Sequence, residues 1–265
     1  MIFKVLNMLL FTQRSVLLSL GLGLMVFELL MHWFLASSAL GQFSLQMLQL
    51  LPPQVRSFLG DEGGGFLSQM TVISIAYTHP FIFVLFTFFP ANLFSKEISS
   101  AREHGILELT LSRPISRSSY LSALAIFFFL GCFLLCLCLT VGVAFSLSIF
   151  DFEQGLRVFL PVIGNLFCLF LMFGSLFLLI NTAAGNHHKA VGWMVGFILG
   201  FYLLEYIGRS IKFIGQFSVI NPFHYYRPQS ILSGGEIPWG NMAVLTAAGV
   251  ILFLAGLVVF RRRDV

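Results

Sequence analysis

Six runs of about twenty residues, almost free of charge, recur along a chain of 265 residues; they cover roughly 16–36, 72–94, 121–149, 158–180, 190–208 and 242–260. A helix of about 20 apolar residues spans a hydrocarbon layer about 30 Å thick. An unpaired backbone N–H or C=O costs several kcal/mol in lipid, so only helices and closed barrels cross it. The sequence has no series of ten-residue alternating segments of the kind a barrel needs. The expected fold is an all-α polytopic membrane protein with six transmembrane helices in one unit. Composition agrees: 58% of residues are hydrophobic and 10% charged, against about 45–50% and about 25% in soluble domains.

Six spans place both termini on one side. If that side is the cytoplasm, the inner segments hold Lys4, Arg14, Lys96, Arg102, Arg113, Arg117, Lys189, Arg261, Arg262 and Arg263. The outer segments hold Arg56, Arg157, Arg209, Lys212 and Arg227. Ten against five satisfies the positive-inside rule. Trp33 and Trp239 then fall near outer ends and Trp193 near an inner end, as interfacial anchors do. The expectation is a multi-pass plasma-membrane protein with both termini cytoplasmic. The first run is too long for a signal peptide and reads as an uncleaved span. Met1–Arg14 reads as a cytoplasmic amphipathic segment lying on the inner surface before the chain turns into the bilayer. The breaker-rich segments 37–69 and 209–240 read as short interfacial or re-entrant helices joined by turns. Cys132, Cys136, Cys138 and Cys168 all lie within apolar runs and read as packing residues. The net charge of +4 does not suggest a nucleic-acid partner.

Between spans two and three lies a polar island, Lys96–Tyr120, with the charge order Glu97, Arg102, Glu103, Glu108, Arg113, Arg117. Gly105 permits a bend. Leu107, Leu109 and Leu111 follow; their alternation favours a strand locally, but an isolated strand at a membrane surface has nothing to pair with, so a short helix is expected. Ser112-Arg113-Pro114 ends it, and Ser116 is placed to cap the third span. This island, from Glu97 through Arg102-Glu103-His104-Gly105-Ile106-Leu107-Glu108-Leu109 to Leu111-Ser112-Arg113-Pro114-Ile115-Ser116-Arg117, resembles the loop signature of type-2 ABC transporter membrane subunits. Asn221-Pro222-Phe223-His224-Tyr225-Tyr226 before the last span, and Phe260-Arg261-Arg262-Arg263-Asp264-Val265 after it, resemble that family too. Ile106 stands where Thr is common in the family, and Ala101-Arg102 where two charges are frequent.

The resemblance implies one permease subunit of an ATP-driven transporter, an exporter, in a bacterial or archaeal cell membrane. It pairs with a second permease subunit and docks a cytoplasmic ATP-binding subunit on the loop. The implied coupling residues are Glu97, Arg102, Glu103, Gly105, Leu107, Glu108, Leu109, Leu111, Pro114 and Arg117, with the three Leu as apolar contact. No cofactor is expected on the chain itself; ATP and Mg belong to the partner. The residues agree: Lys4, Lys96, Lys189 and Lys212 are followed by Val5, Glu97, Ala190 and Phe213, so no phosphate-binding G-K-[ST] loop exists here.

Three ionisable residues inside spans, Glu28, His32 and Glu205, are candidates for a translocation path. Gly192, Gly196 and Gly200 form a smooth stripe for close helix packing, within the bundle or across a dimer. Two competing functions stand beside this reading. An ATP-independent transporter or channel would be marked by inverted repeats with broken helices, and the two halves share no persuasive sequence similarity. An intramembrane enzyme would need a motif such as H-E-x-x-H, which is absent, or a Ser with a His at its depth, which Phe173-Gly174-Ser175 lacks.

Overall fold

The computed structural model describes residues 2–37, 69–112, 116–150, 155–210, 216–234 and 236–262. These residues form α1 (Ile2–Ala36), α2 (Gln69–Thr78), α3 (Pro80–Phe94), α4 (Ile106–Leu111), α5 (Arg117–Ile149), α6 (Leu160–Ala183), α7 (His187–Ser210), α8 (Pro228–Leu232) and α9 (Trp239–Arg262). Six helical runs among them are long and apolar enough to cross a membrane: α1, the α2–α3 run to Glu103, α5, α6 with the 3-10 turn before it, α7 and α9. The chain is an all-α multi-pass membrane protein. The segment 38–68, Pro114 and the side chain of Leu111 lie outside the described residues.

One expectation about the spans needs correction. The N-terminal segment does not turn: α1 runs unbroken from Ile2 to Ala36. No Gly or Pro precedes Gly21 to break it. Val5, Leu9 and Gln13, one turn apart, are buried on one face, and the Gln13 carboxamide oxygen accepts from Asn92 Nδ2 at 2.9 Å. At about 1.5 Å per residue, this helix is longer than a bilayer core is thick. The second span is not one continuous helix. It breaks at His79, whose backbone is extended (φ −66°, ψ 133°), and α3 starts anew at Pro80. Proline lacks the N–H that would continue the ladder and suits a first helical position. Pro90, by contrast, sits inside α3.

Past Phe94 the backbone widens into a π-helical turn, Ser95–Ser100, then tightens into Ala101–Glu103. Gly105 takes the left-handed conformation, φ 69°, and redirects the chain into α4. A residue with a Cβ is strained there, although nothing lies within 4 Å to clash with it. The described part of the island before Ser112 is thus helical on both sides of a turn at His104-Gly105. Ser116 caps α5, accepting from the Ser119 N–H at 3.1 Å.

The closest pairings are α1 with α5 and α6 with α9, and glycines set their approach. A Cβ on Gly142 would sit 3.0 Å from Met25 Cα, and one on Gly249 would sit 3.3 Å from Met172 Cα. On the same face of α9, Gly256 meets the Leu179 backbone at 3.4 Å. With no water to expel, helices in lipid associate through such close packing. The middle of the bundle is aromatic: Phe86 stacks on Phe170 at 4.5 Å, and Phe83 meets Phe223 edge-on at 5.1 Å.

The glycine stripe of α7 faces away from the described part of the bundle. Gly192, Gly196 and Gly200 on α7 have nothing within 4 Å of a notional Cβ, and only 11% of that span's apolar window is buried. Among the described residues, therefore, the stripe packs against nothing in the chain. The described polar contacts of α7 lie chiefly near its two ends, as shown below. Gly249→Leu should lower the unfolding midpoint in detergent, a cost of about 1–3 kcal/mol from overpacking. Gly196→Leu should leave it unchanged or raise it, since leucine is the better helix former. Equal losses at both positions would contradict this packing.

Candidate functional site

At one end of the bundle, Ser95–Glu103 packs against the turn between α6 and α7. Glu97 is nearly buried, and the Tyr120 hydroxyl donates toward its carbonyl oxygen (3.1 Å) and carboxylate Oε2 (3.3 Å). Arg102 reaches across to the end of α6: Nη1 donates to the Ala184 carbonyl at 3.0 Å and Nη2 to the Asn181 carbonyl at 2.9 Å. These are final carbonyls of a helix, where a cation is favoured. Its neighbour Glu103 accepts the His187 N–H, the first amide of α7, at 3.2 Å. An N-terminus favours an anion for the converse reason. Between them, the buried Ser99 hydroxyl donates to Asn181 Oδ1 at 2.8 Å.

The coupling residues inferred from the loop therefore divide. Glu97 and Arg102 turn inward. Leu107, 0% exposed, is an anchor in the core, which corrects its expected role as a partner contact. Leu109 is 70% exposed and Ile106 54%. Glu103 and Glu108 are also exposed, and Arg117, in the first turn of α5, is half-buried. A six-residue helix can direct only one side inward, so a three-leucine contact was not available. The outward apolar pair is Ile106 and Leu109.

The opposite end is organised by the segment 221–227. Asn221 Nδ2 donates to the Phe201 carbonyl at 2.9 Å and to Glu205 Oε2 at 3.2 Å, while its Oδ1 accepts the Phe223 N–H at 3.1 Å. Asn165, buried on α6, donates to the Tyr225 carbonyl at 3.3 Å and accepts the Arg227 N–H at 3.4 Å. The Tyr226 hydroxyl donates to the Tyr77 carbonyl at 3.0 Å. That carbonyl would bond to the Phe81 N–H in an unbroken helix. The Phe81 N–H goes instead to His79 Nδ1 at 3.2 Å. Tyr226 thus repairs the break that Pro80 makes, and burial pushes its phenol well above the usual range, so it remains a donor.

Glu28 and His32 are also buried, at 0% and 1% exposure. His32 Nδ1 lies 2.9 Å from the Glu28 carbonyl oxygen and 3.4 Å from Oε2. The His32 ring packs near Phe159, which also faces Tyr77. Glu205 belongs to the Asn221 network, so the three candidate path residues do not converge. His187 and His188 have ring centroids 5.7 Å apart, and among the described residues no group of three metal-ligating side chains forms.

The model of one protein family, "Multidrug efflux system permease Rv1217c, C-terminal domain", matches residues 5–261. The chain belongs to this family. Comparison with curated proteins finds no significant match. Family membership and six apolar spans identify a membrane permease of the efflux, ABC-transporter type. Both ends just described lie within the matched region. Asn165, Asn181 and Ser99 were not singled out in the sequence; a lone Asn inside an apolar span, as in Ile163-Gly164-Asn165-Leu166, was the available signal.

Removing a buried donor while its acceptor stays buried costs about 1–3 kcal/mol. Tyr226→Phe, which strips only the hydroxyl, should destabilise the purified protein by that amount. Asn221→Ala, which removes three bonds, should cost more. Unchanged thermal midpoints for both would show that these bonds do not hold the 221–227 segment.

Proposed function

We propose that the chain is the membrane subunit of an ATP-driven exporter. Two copies enclose the path, and a separate cytoplasmic ATP-binding subunit, bringing ATP and Mg, docks on α4 of each. The observation that carries this reading is the surface of α4: a short helix joined to two spans presents Ile106 and Leu109 outward, with Glu103 and Glu108 beside them. Interfaces of this kind combine an apolar centre with rim charges that set orientation more than affinity. The match to an efflux permease family over residues 5–261 supports the transport class. The chain has no G-K-[ST] loop, which supports a reading in which the nucleotide binds another subunit.

In this reading α4 and both termini are cytoplasmic, the side that takes ten of the fifteen Lys and Arg. ATP draws the two docked subunits together, and the push on α4 tilts the spans attached to it. Substrates are drug-like compounds, in keeping with the family's name. Glu28 and His32, sealed within the bundle in this conformation, would meet a substrate only after α1 and α2 part.

Leu109→Asp places a charge at the centre of the proposed contact. ATPase activity that co-elutes with the tagged wild-type protein should fall about tenfold or more in this variant, as for a central hot spot. Membrane insertion and expression should be unchanged. A wild-type preparation without ATPase activity, or an undiminished variant, would sink the docking role of α4.

A further inference from the structure

We infer that Arg102 and Glu103, with Ser99 and Asn181, form a clasp that binds the α6–α7 turn to the end of the second span, so that α4 drives spans four and five as well as the two it is covalently joined to. The inference rests on the reading of α4 as the docking helix.

Two adjacent residues of opposite charge need not pair with one another. Here each meets a helix end of the opposite polarity: the guanidinium takes two carbonyls at the end of α6, and the carboxylate takes the first N–H of α7. The turn between those ends is only Ala184–Asn186, so gripping both fixes the whole hairpin. The Arg102 fork supplies two directed bonds from one rigid plane, which a lysine cannot do. Ser99 and Asn181 add a bond between two buried side chains. Asn181 also donates to the Phe177 carbonyl at 2.8 Å, which fixes its rotamer. Ser95 Oγ lies 3.3 Å from His187 Nδ1 on the same seam.

The load path continues into α4. The Gly105 N–H donates to the Arg102 carbonyl at 3.0 Å, and the Leu109 N–H to the Gly105 carbonyl at 3.3 Å. Leu107 pins the inner side of α4 to the core. A force on Ile106 and Leu109 therefore reaches the clasp through one bonded turn. On the far side, α6 carries α9 along their glycine seam. Without the clasp, α4 would act on α6 and α7 only through Leu107 and the side-chain packing of α3 and α5.

Deuterium exchange of the full-length protein in detergent micelles tests the clasp without any partner. In Glu103→Gln and in Arg102→Ala, amides 184–190 should exchange about tenfold faster, the effect of losing one charged hydrogen bond. Arg102→Lys, the milder change should Arg102→Ala not fold, should give an intermediate rate. The inverted pair Arg102→Glu with Glu103→Arg should be worse than either single change, because each charge would then face a like pole; a simple ion pair would be restored by the swap. Unchanged exchange in the single variants, or rescue in the swap, overturns the clasp. The second arm measures transport per ATP in the assembled complex. A roughly tenfold loss in Arg102→Ala, with the ATP-binding subunit still co-eluting, supports transmission to spans four and five. Full coupling despite raised exchange overturns it. Failure of the wild type to bind an ATP-binding subunit rejects the docking reading, and with it the transmission; the exchange rates still decide the clasp.

Discussion

Every peptide group in this bundle must find a partner inside the protein, because lipid offers none. Regular helices meet that demand by themselves. The places where the chain departs from a helix decide the architecture, since each departure frees carbonyls or amides that something else must take up. At Pro80 the freed Tyr77 carbonyl is taken by Tyr226. At the end of α6 the Asn181 and Ala184 carbonyls are taken by Arg102. At the start of α7 an orphan amide is taken by Glu103. Around the 221–227 segment, Asn165 and Asn221 do the same. Scarce polar residues therefore sit at breaks, and each repair ties together elements far apart in sequence.

The two ends of the bundle differ in what this arrangement permits. At the 221–227 end, asparagines and tyrosines join α2, α6 and α7 through a segment that crosses none of them, which keeps those helix ends in register. At the 95–120 end, the repair is made by a charged pair next to an exposed helix. A π-helical turn, a left-handed glycine and a three-residue hairpin turn meet there within a short distance along the chain. Such irregular backbone often marks moving parts, and here it leads straight to the outward apolar pair Ile106 and Leu109.

Much of the fold was legible in the sequence. Apolar runs of span length have a single stable form in lipid, so six helices followed from composition and spacing. Gly105 and Ser116 disclosed a bend and a cap, because their chemistry acts locally. The unbroken α1 was less legible: a basic, amphipathic first segment is compatible with a surface helix, and only the burial of Val5, Leu9 and Gln13 against the bundle distinguishes the two. The glycines were legible only in part. Gly192, Gly196 and Gly200 have the right spacing yet meet nothing among the described residues, whereas Gly142 and Gly249 stand in no such pattern and come closest to the backbone of a neighbouring helix. Spacing shows that a face is smooth; it does not show which neighbour is present.

The sequence by itself determined the class of protein and the number of spans, because these depend on composition and on local backbone chemistry. The inward or outward facing of each island residue was decided only by the tertiary structure. Leu107 and Leu109 are two residues apart and chemically identical, yet one anchors the core and the other is exposed. Arg102 and Glu103 look like an alternating surface charge pattern, yet they close onto a turn some eighty residues away. Facing and long-range pairing depend on where other helices lie, and no local rule carries that information.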